Sequence, residues 1–149
     1  VVLKQLQGTP GDEVFFKAFR QYAKDWAFKH PYPKDFFNTF SKVSVQNLAW
    51  YFRVWFYETW TLDQAVESVE EKDSGTEVVV ADLSFATYPT VVEATYADGT
   101  KQRHTVDVKH WLSGKKTKTL QFKKGVAKVV IDPDRITLDT SRRNNTWRK

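Results

Sequence analysis

The sequence predicts a chain in two segregated parts, α then β: antiparallel helical hairpins over residues 1–66, a linker at 67–76 and a small antiparallel β-sandwich over 77–149. Three observations predict this. Apolar residues recur at helical spacing as far as Asp63 and alternate with period two from Glu77 onward. The stretch between them, Val66–Thr76, is acidic, small and turn-forming. The two halves also differ in composition: 17 of the 23 aromatic residues precede residue 61, whereas residues 98–149 carry 14 Lys and Arg against 5 Asp and Glu. The net charge of +5 therefore belongs to the C-terminal third.

In chain order, Val1–Gln7 reads as the tail of a helix closed by Gly8. Thr9-Pro10-Gly11-Asp12 restarts one, with Thr9 as cap, Pro10 at the first helical position and Asp12 as a capping-box acid. Its apolar face is Phe15, Ala18, Phe19, Tyr22 and Trp26, and Pro31 and Pro33 forbid continuation. A short helix over Lys34–Lys42 presents Phe36, Phe37 and Phe40. Ser44 is expected to cap the next helix, with Asn47 three residues on. From Gln46 to Thr59 that helix is apolar on every side: Leu48, Phe52, Trp55 and Phe56 make one stripe, and Trp50, Val54 and Tyr57 a second. Such a helix has to be covered all round, so partners beyond this chain are expected.

In the second half the expected strands are Glu77–Ser84, Thr90–Ala97, Thr100–Val108, Lys118–Lys123, Val126–Asp132 and Ile136–Leu138. Asp98-Gly99 suits a two-residue hairpin turn, which would set His104 opposite Glu93. Short strands without intervening helices make a sandwich.

Little in the chain carries chemistry. His30, His104 and His110 share no H-E-x-x-H spacing, and there is no cysteine to supply a thiolate or a disulfide. Nucleophile elbows and phosphate loops are missing, and the carboxylates are scattered. No catalytic, cofactor-binding or metal-ligating residue is assigned. The aromatic stripes read as core, with an aromatic-lined peptide groove as the alternative. The basic residues Lys115, Lys116, Lys118, Lys123, Lys124, Lys128, Arg142, Arg143, Arg148 and Lys149 lack the interleaved aromatics of a nucleic-acid reader, so nucleic acid is not an expected partner. No apolar run reaches the length of a membrane span. Without any Met, the chain reads as a piece of a longer polypeptide.

An ordered set of motifs carries a family resemblance over about 120 residues. They are Trp26-Ala27-Phe28-Lys29-His30-Pro31, Asp35-Phe36-Phe37, Asn47-Leu48-Ala49-Trp50-Tyr51-Phe52, Trp55-Phe56 and Leu62-Asp63. Asp98-Gly99-Thr100, Trp111, Asp132-Pro133-Asp134 and Asn144-Asn145-Thr146-Trp147 follow. The first group resembles the end of the catalytic domain of the gluzincin (aminopeptidase N-like) zinc aminopeptidases; the second resembles the immunoglobulin-like domain after it. The resemblance implies a helical subdomain backing the zinc site and a sandwich that braces it, with the upstream catalytic domain as partner and a peptide as the parent's substrate. It supplies no active site here, because H-E-x-x-H and the Gly-x-Met-Glu-Asn segment are not in these residues. Zinc is expected in the parent and not in this chain. An extracytoplasmic parent is favoured by analogy alone. The alternative is a stand-alone module binding peptide or glycan through a loop aromatic such as Trp111.

Overall fold

The computed structural model describes residues 2–149; Val1, the first residue of the expected helix tail, lies outside the described residues. The chain forms two compact units, Val1–Thr59 and Trp60–Lys149. An α-then-β order is what the change of period predicts.

The first unit contains α1 (Val2–Gln7), α2 (Asp12–Trp26), α3 (Pro33–Ser44) and α4 (Ala49–Phe52), the last continued by a π-helical turn, Arg53–Tyr57. The restart of α2 differs from the expected cap. Gly8 does not take a left-handed angle; Gly11 does, at φ 86°, and the helix begins after it. Hydrogen bonds from Gly8 N to Lys4 O and from Gly11 N to Gln7 O prolong the turn of α1, so Thr9 and Pro10 precede the new helix. Thr9 Oγ1 turns back to Gln5 O, and Asp12 accepts from Gln7 Nε2 at 2.9 Å. Two acids in the first turn, Asp12 and Glu13, face the positive end of the helix.

Pro33 takes the first position of α3, where a missing N–H costs nothing. Asp35 closes that end by accepting from Tyr32 N at 2.8 Å. Ser44 is the last residue of α3 and not the cap of the next helix; Val45 leaves at φ 53°, and Asn47 Oδ1 accepts from Ala49 N at 3.1 Å. Phe40 is wholly buried, with the rings of Phe36, Phe15 and Phe19 at 4.3, 5.4 and 6.3 Å. Phe37 stacks on Phe52 at 4.2 Å. The all-round apolar helix is shorter than expected, and only part of it is covered. Leu48, Tyr51, Phe52 and Val54 are buried, whereas Phe56 and Tyr57 are exposed.

The second unit holds β1 (Gln64–Lys72), β2 (Gly75–Asp82), β3 (Thr90–Tyr96), β4 (Lys101–Val106), α5 (Val108–Leu112), β5 (Thr117–Phe122), β6 (Val126–Ile131) and β7 (Thr146–Arg148). They form two antiparallel sheets, ordered β1-β2-β5 and β4-β3-β6-β7. Val78, Val80, Leu120 and Phe122 of one sheet share a core with Val92, Ala94, Val129 and Ile131 of the other. On β5, an edge strand, Lys118 pairs with Val80 and so lies on the core-facing side, yet it is exposed.

Several elements depart from expectation. Residues 67–76, expected as a linker, are the outer part of β1, its turn and the start of β2. Two causes disguise them. A bulge between Val66 and Ser68 spaces the inward valines, Val66 and Val69, by three residues and breaks the alternation. Glu67, Glu70 and Glu71, all exposed, then give the strand the composition of a loop. The β3–β4 turn has three residues: Tyr96 N donates to Thr100 O, and Gly99 sits at φ 83°. That shifts the register by one, so Arg103 lies opposite Glu93 and His104 opposite Val92. Residue 108, expected as strand, opens α5, which Asp107 caps by accepting from Lys109 N at 2.7 Å. Ile136–Leu138 is not a strand, because Asp132 takes its N–H groups: Ile136 N and Thr137 N both donate to the Asp132 carboxylate. The final strand, β7, has three residues and no alternation long enough to read.

Candidate functional site

The histidines lie on different elements. His30 is exposed in the α2–α3 connection. On the β4 edge, Tyr96 Oη accepts from Lys123 N and donates to Gln102 Oε1, leaving the Gln102 amide N–H to face His104 Nε2 at 3.0 Å. His104 Nε2 is then the acceptor, and its ring meets Phe122 edge-on at 4.7 Å. His110 Nε2 lies 2.8 Å from Thr117 O. Among the described residues no three His, Asp or Glu side chains converge to hold a metal. His104 and His110, on different elements and each already engaged, do not fit a zinc site.

The carboxylates sort into three settings. Asp132, at φ 52°, accepts from Ile136 N, Thr137 N, Thr137 Oγ1 and Arg142 Nη1, the last at 2.6 Å. It is a loop-fixing knot, with three of the four donors on Oδ2 and one on Oδ1. Glu93, buried on the outer side of β3, takes Lys101 Nζ at 2.8 Å and Arg103 Nε at 2.7 Å. The Lys101 bond foremost, then Arg103, hold its carboxyl below the usual range. Arg103 also forks onto Asp134, tying the β3–β4 hairpin to the loop after β6.

Asp82 is different. It ends β2 on the inward side, opposite Gln64, with its side chain 1% exposed. Burial pushes its carboxyl up to about 6, against the pull of Lys116 and of the Ser84 N–H and with a further push from Asp63 and Asp139. The Ser84 N–H acts without forming a well-shaped bond: neither Asp82 oxygen has a hydrogen-bond partner among the described residues. Lys116 Nζ stands 4.0 Å away. Nothing in the sequence marked Asp82 except its phase. In the alternation Thr76, Val78, Val80, Asp82 the carboxylate falls on the inward side.

Trp111, the loop aromatic of the binding-module alternative, is not available to a ligand. It lies in α5, 3% exposed, and donates from Nε1 to Thr90 Oγ1 at 3.0 Å. Several basic residues are engaged at home, Arg142 with Asp132 and Lys149 with Glu71. In the helical unit Leu3, Phe16 and Phe19 line an open apolar groove of about 380 Å³ between α1 and α2. No helix among the described residues is long and apolar enough to cross a membrane.

No family model matches the chain, and no curated protein matches it. Among solved structures it is similar to the aminopeptidase A of Legionella pneumophila, crystallised in complex with aspartic acid. The identity is 15% and the TM-score 0.61, over 87% of this chain. The likeness is one of fold. The chain spans 15% of the length of that aminopeptidase.

Proposed function

We propose that this chain is the C-terminal portion of a zinc aminopeptidase: the last helices of a catalytic domain, then an immunoglobulin-like sandwich that stabilises and positions it. One observation carries the reading. A helical unit followed by a two-sheet sandwich, in this order, follows a 15% segment of an aminopeptidase over 87% of the chain. The motif order from Trp26 to Trp147 points the same way. Zinc, the peptide substrate and the reacting groups belong to the upstream part of the parent, in keeping with side chains here that are committed to packing, caps and loop ties. Exposed Phe56 and Tyr57, and the Leu3–Phe19 groove, suit surfaces that the remainder of such a polypeptide covers. The upstream catalytic domain is thus the proposed partner, and an extracytoplasmic location follows only by analogy with enzymes of this kind.

The size of the native polypeptide tests this. An antibody raised against the chain should detect, in fractions of the source cells, a band several times larger than 17.4 kDa. A band near 17 kDa that is not a breakdown product would sink the reading. Purified chain should leave aminoacyl-amides uncleaved. Chelator-sensitive cleavage, free of contaminating protease, would overturn the supporting role.

A further inference from the structure

The connection between β2 and β3 turns sharply after Asp82. It exposes Leu83 and Phe85 and buries Ala86, Thr87 and Tyr88. Two backbone bonds hold its ends, Leu83 N to Asp63 O and Ala86 N to Thr61 O. Its middle is held by side chains on two sides: Thr61 Oγ1 meets Ser84 Oγ at 3.0 Å and the Trp60 ring lies 6.0 Å from that of Phe85, while Lys116 Nζ, from the segment before β5, donates to Ser84 O at 2.8 Å and lies 6.0 Å from the centre of the Phe85 ring. The same ammonium is the cation beside the buried Asp82 carboxylate, at 4.0 Å.

The other charged groups facing Asp82 are acids. Asp63, from the segment before β1, is bonded to Asn144 Nδ2, and Asp139, from the segment before β7, accepts from Gln64 N and Ser141 N. Lys116 therefore sits where negative potential holds it. Opposite Asp82, Gln64 uses its Nε2 on Tyr88 O, and its Oε1 has no partner. Cross-strand pairs place β-carbons about 5 Å apart, within reach of a carboxyl O–H.

We propose that Asp82, Lys116 and Ser84 form a proton-operated latch on the loop that presents Phe85. With Asp82 ionised, its charge keeps Lys116 in place and the ammonium pins Ser84 O. When Asp82 takes a proton from solvent, the ammonium, already more than half exposed along its side chain, loses its nearest counter-charge and its hold on Ser84 O loosens. The neutral carboxyl then donates its O–H to Gln64 Oε1, filling the unpaired acceptor. Burial among acids sets the change in mildly acidic solution, where the Asp82 carboxyl, pushed up to about 6, exchanges its proton.

Amide NMR of the whole chain between pH 5 and 7.5 tests the latch. The Ser84, Phe85 and Ala86 signals should move together with a midpoint near 6, with several-fold lower exchange protection of Ala86 at pH 5 than at pH 7. In Asp82→Asn the loop signals should stay flat across the range. In Lys116→Gln the loop should sit in its low-pH position throughout. Retention of the Trp111 indole N–H signal checks folding. Flat loop signals in the unaltered chain would overturn the latch, as would an unchanged titration in Asp82→Asn. Should Asp82→Asn not fold, Lys116→Gln decides: a loop titration of undiminished amplitude there excludes the latch.

Discussion

Replacing Phe40 by Ala separates a packed core from a ligand site in the helical unit. Phe40 has no exposed surface, and the rings of Phe36, Phe15 and Phe19 surround it at 4.3–6.3 Å. Removing a ring from such a place costs about 3–5 kcal/mol, combining lost transfer energy with the cavity left behind. A unit of 59 residues, at roughly 0.05–0.15 kcal/mol per residue, has about 3–9 kcal/mol in all. Phe40→Ala should therefore remove most of the helical unit's stability, and Phe40→Leu, which keeps most of the volume, about 1–1.5 kcal/mol. Ellipticity at 222 nm, followed through a urea titration, measures both. A loss below about 1 kcal/mol for Phe40→Ala would refute the reasoning. The ring cluster would then be loosely held, and an aromatic groove open to a peptide would return as the better account.

Other substitutions test other parts of the argument. Asp82 binds its proton more tightly in the folded chain, about 6 against an ordinary 3.8, so its contribution to stability is greatest below about pH 4, falls from pH 4 to 6 and is gone above. Two units correspond to at most about 3 kcal/mol; Asp82→Asn should gain about 1–3 kcal/mol at pH 8 and less than about 0.5 at pH 4. Urea unfolding at both values checks this, and an equal gain at both would remove the electrostatic explanation. At Gly75 an added Cβ would stand 2.4 Å from Phe122 O, so Gly75→Ala should force β2 and β5 apart and cost about 1–3 kcal/mol. Unchanged thermal unfolding of Gly75→Ala would contradict that close approach. Trp111→Phe strands the buried Thr90 hydroxyl and should cost about 1–3 kcal/mol in a urea titration without altering any binding; a ligand affinity lost with the indole would revive the binding module.

Local chemistry was legible wherever it alone decides the outcome. Pro33 opens α3, because a ring without an N–H is tolerated at the first helical position; α2, expected to run as far as His30-Pro31, has already ended at Trp26, where Ala27 turns extended and Phe28 takes φ 60°. Five strands, β2 to β6, follow from alternating valines, threonines and lysines between turn residues. Where two plausible local solutions compete, the sequence alone does not choose. Asp98-Gly99 fits a two-residue or a three-residue turn, and the difference exchanges Arg103 for His104 as the partner of Glu93. In β1 the bulge breaks the alternation, and at Asp107 the carboxylate caps α5 where the alternation of β4 reads on into Val108. Asp82 was illegible for another reason: its burial belongs to the closed sandwich, and as a letter it is one acid among many.

The lysine on the core-facing side of β5 has a consequence for how copies of this protein treat one another. A sheet edge offers unpaired N–H and C=O groups to any extended chain that approaches. A second strand lying along β5 would have to enclose the ammonium of Lys118, which pairs with Val80 and shares that side with Leu120 and Phe122. A charge in that place cannot be sealed off without a partner, so edge-to-edge stacking at β5 stops at its first step. With valine there the same edge would be a continuous apolar strip, and the sandwich would be open to growing into fibrils.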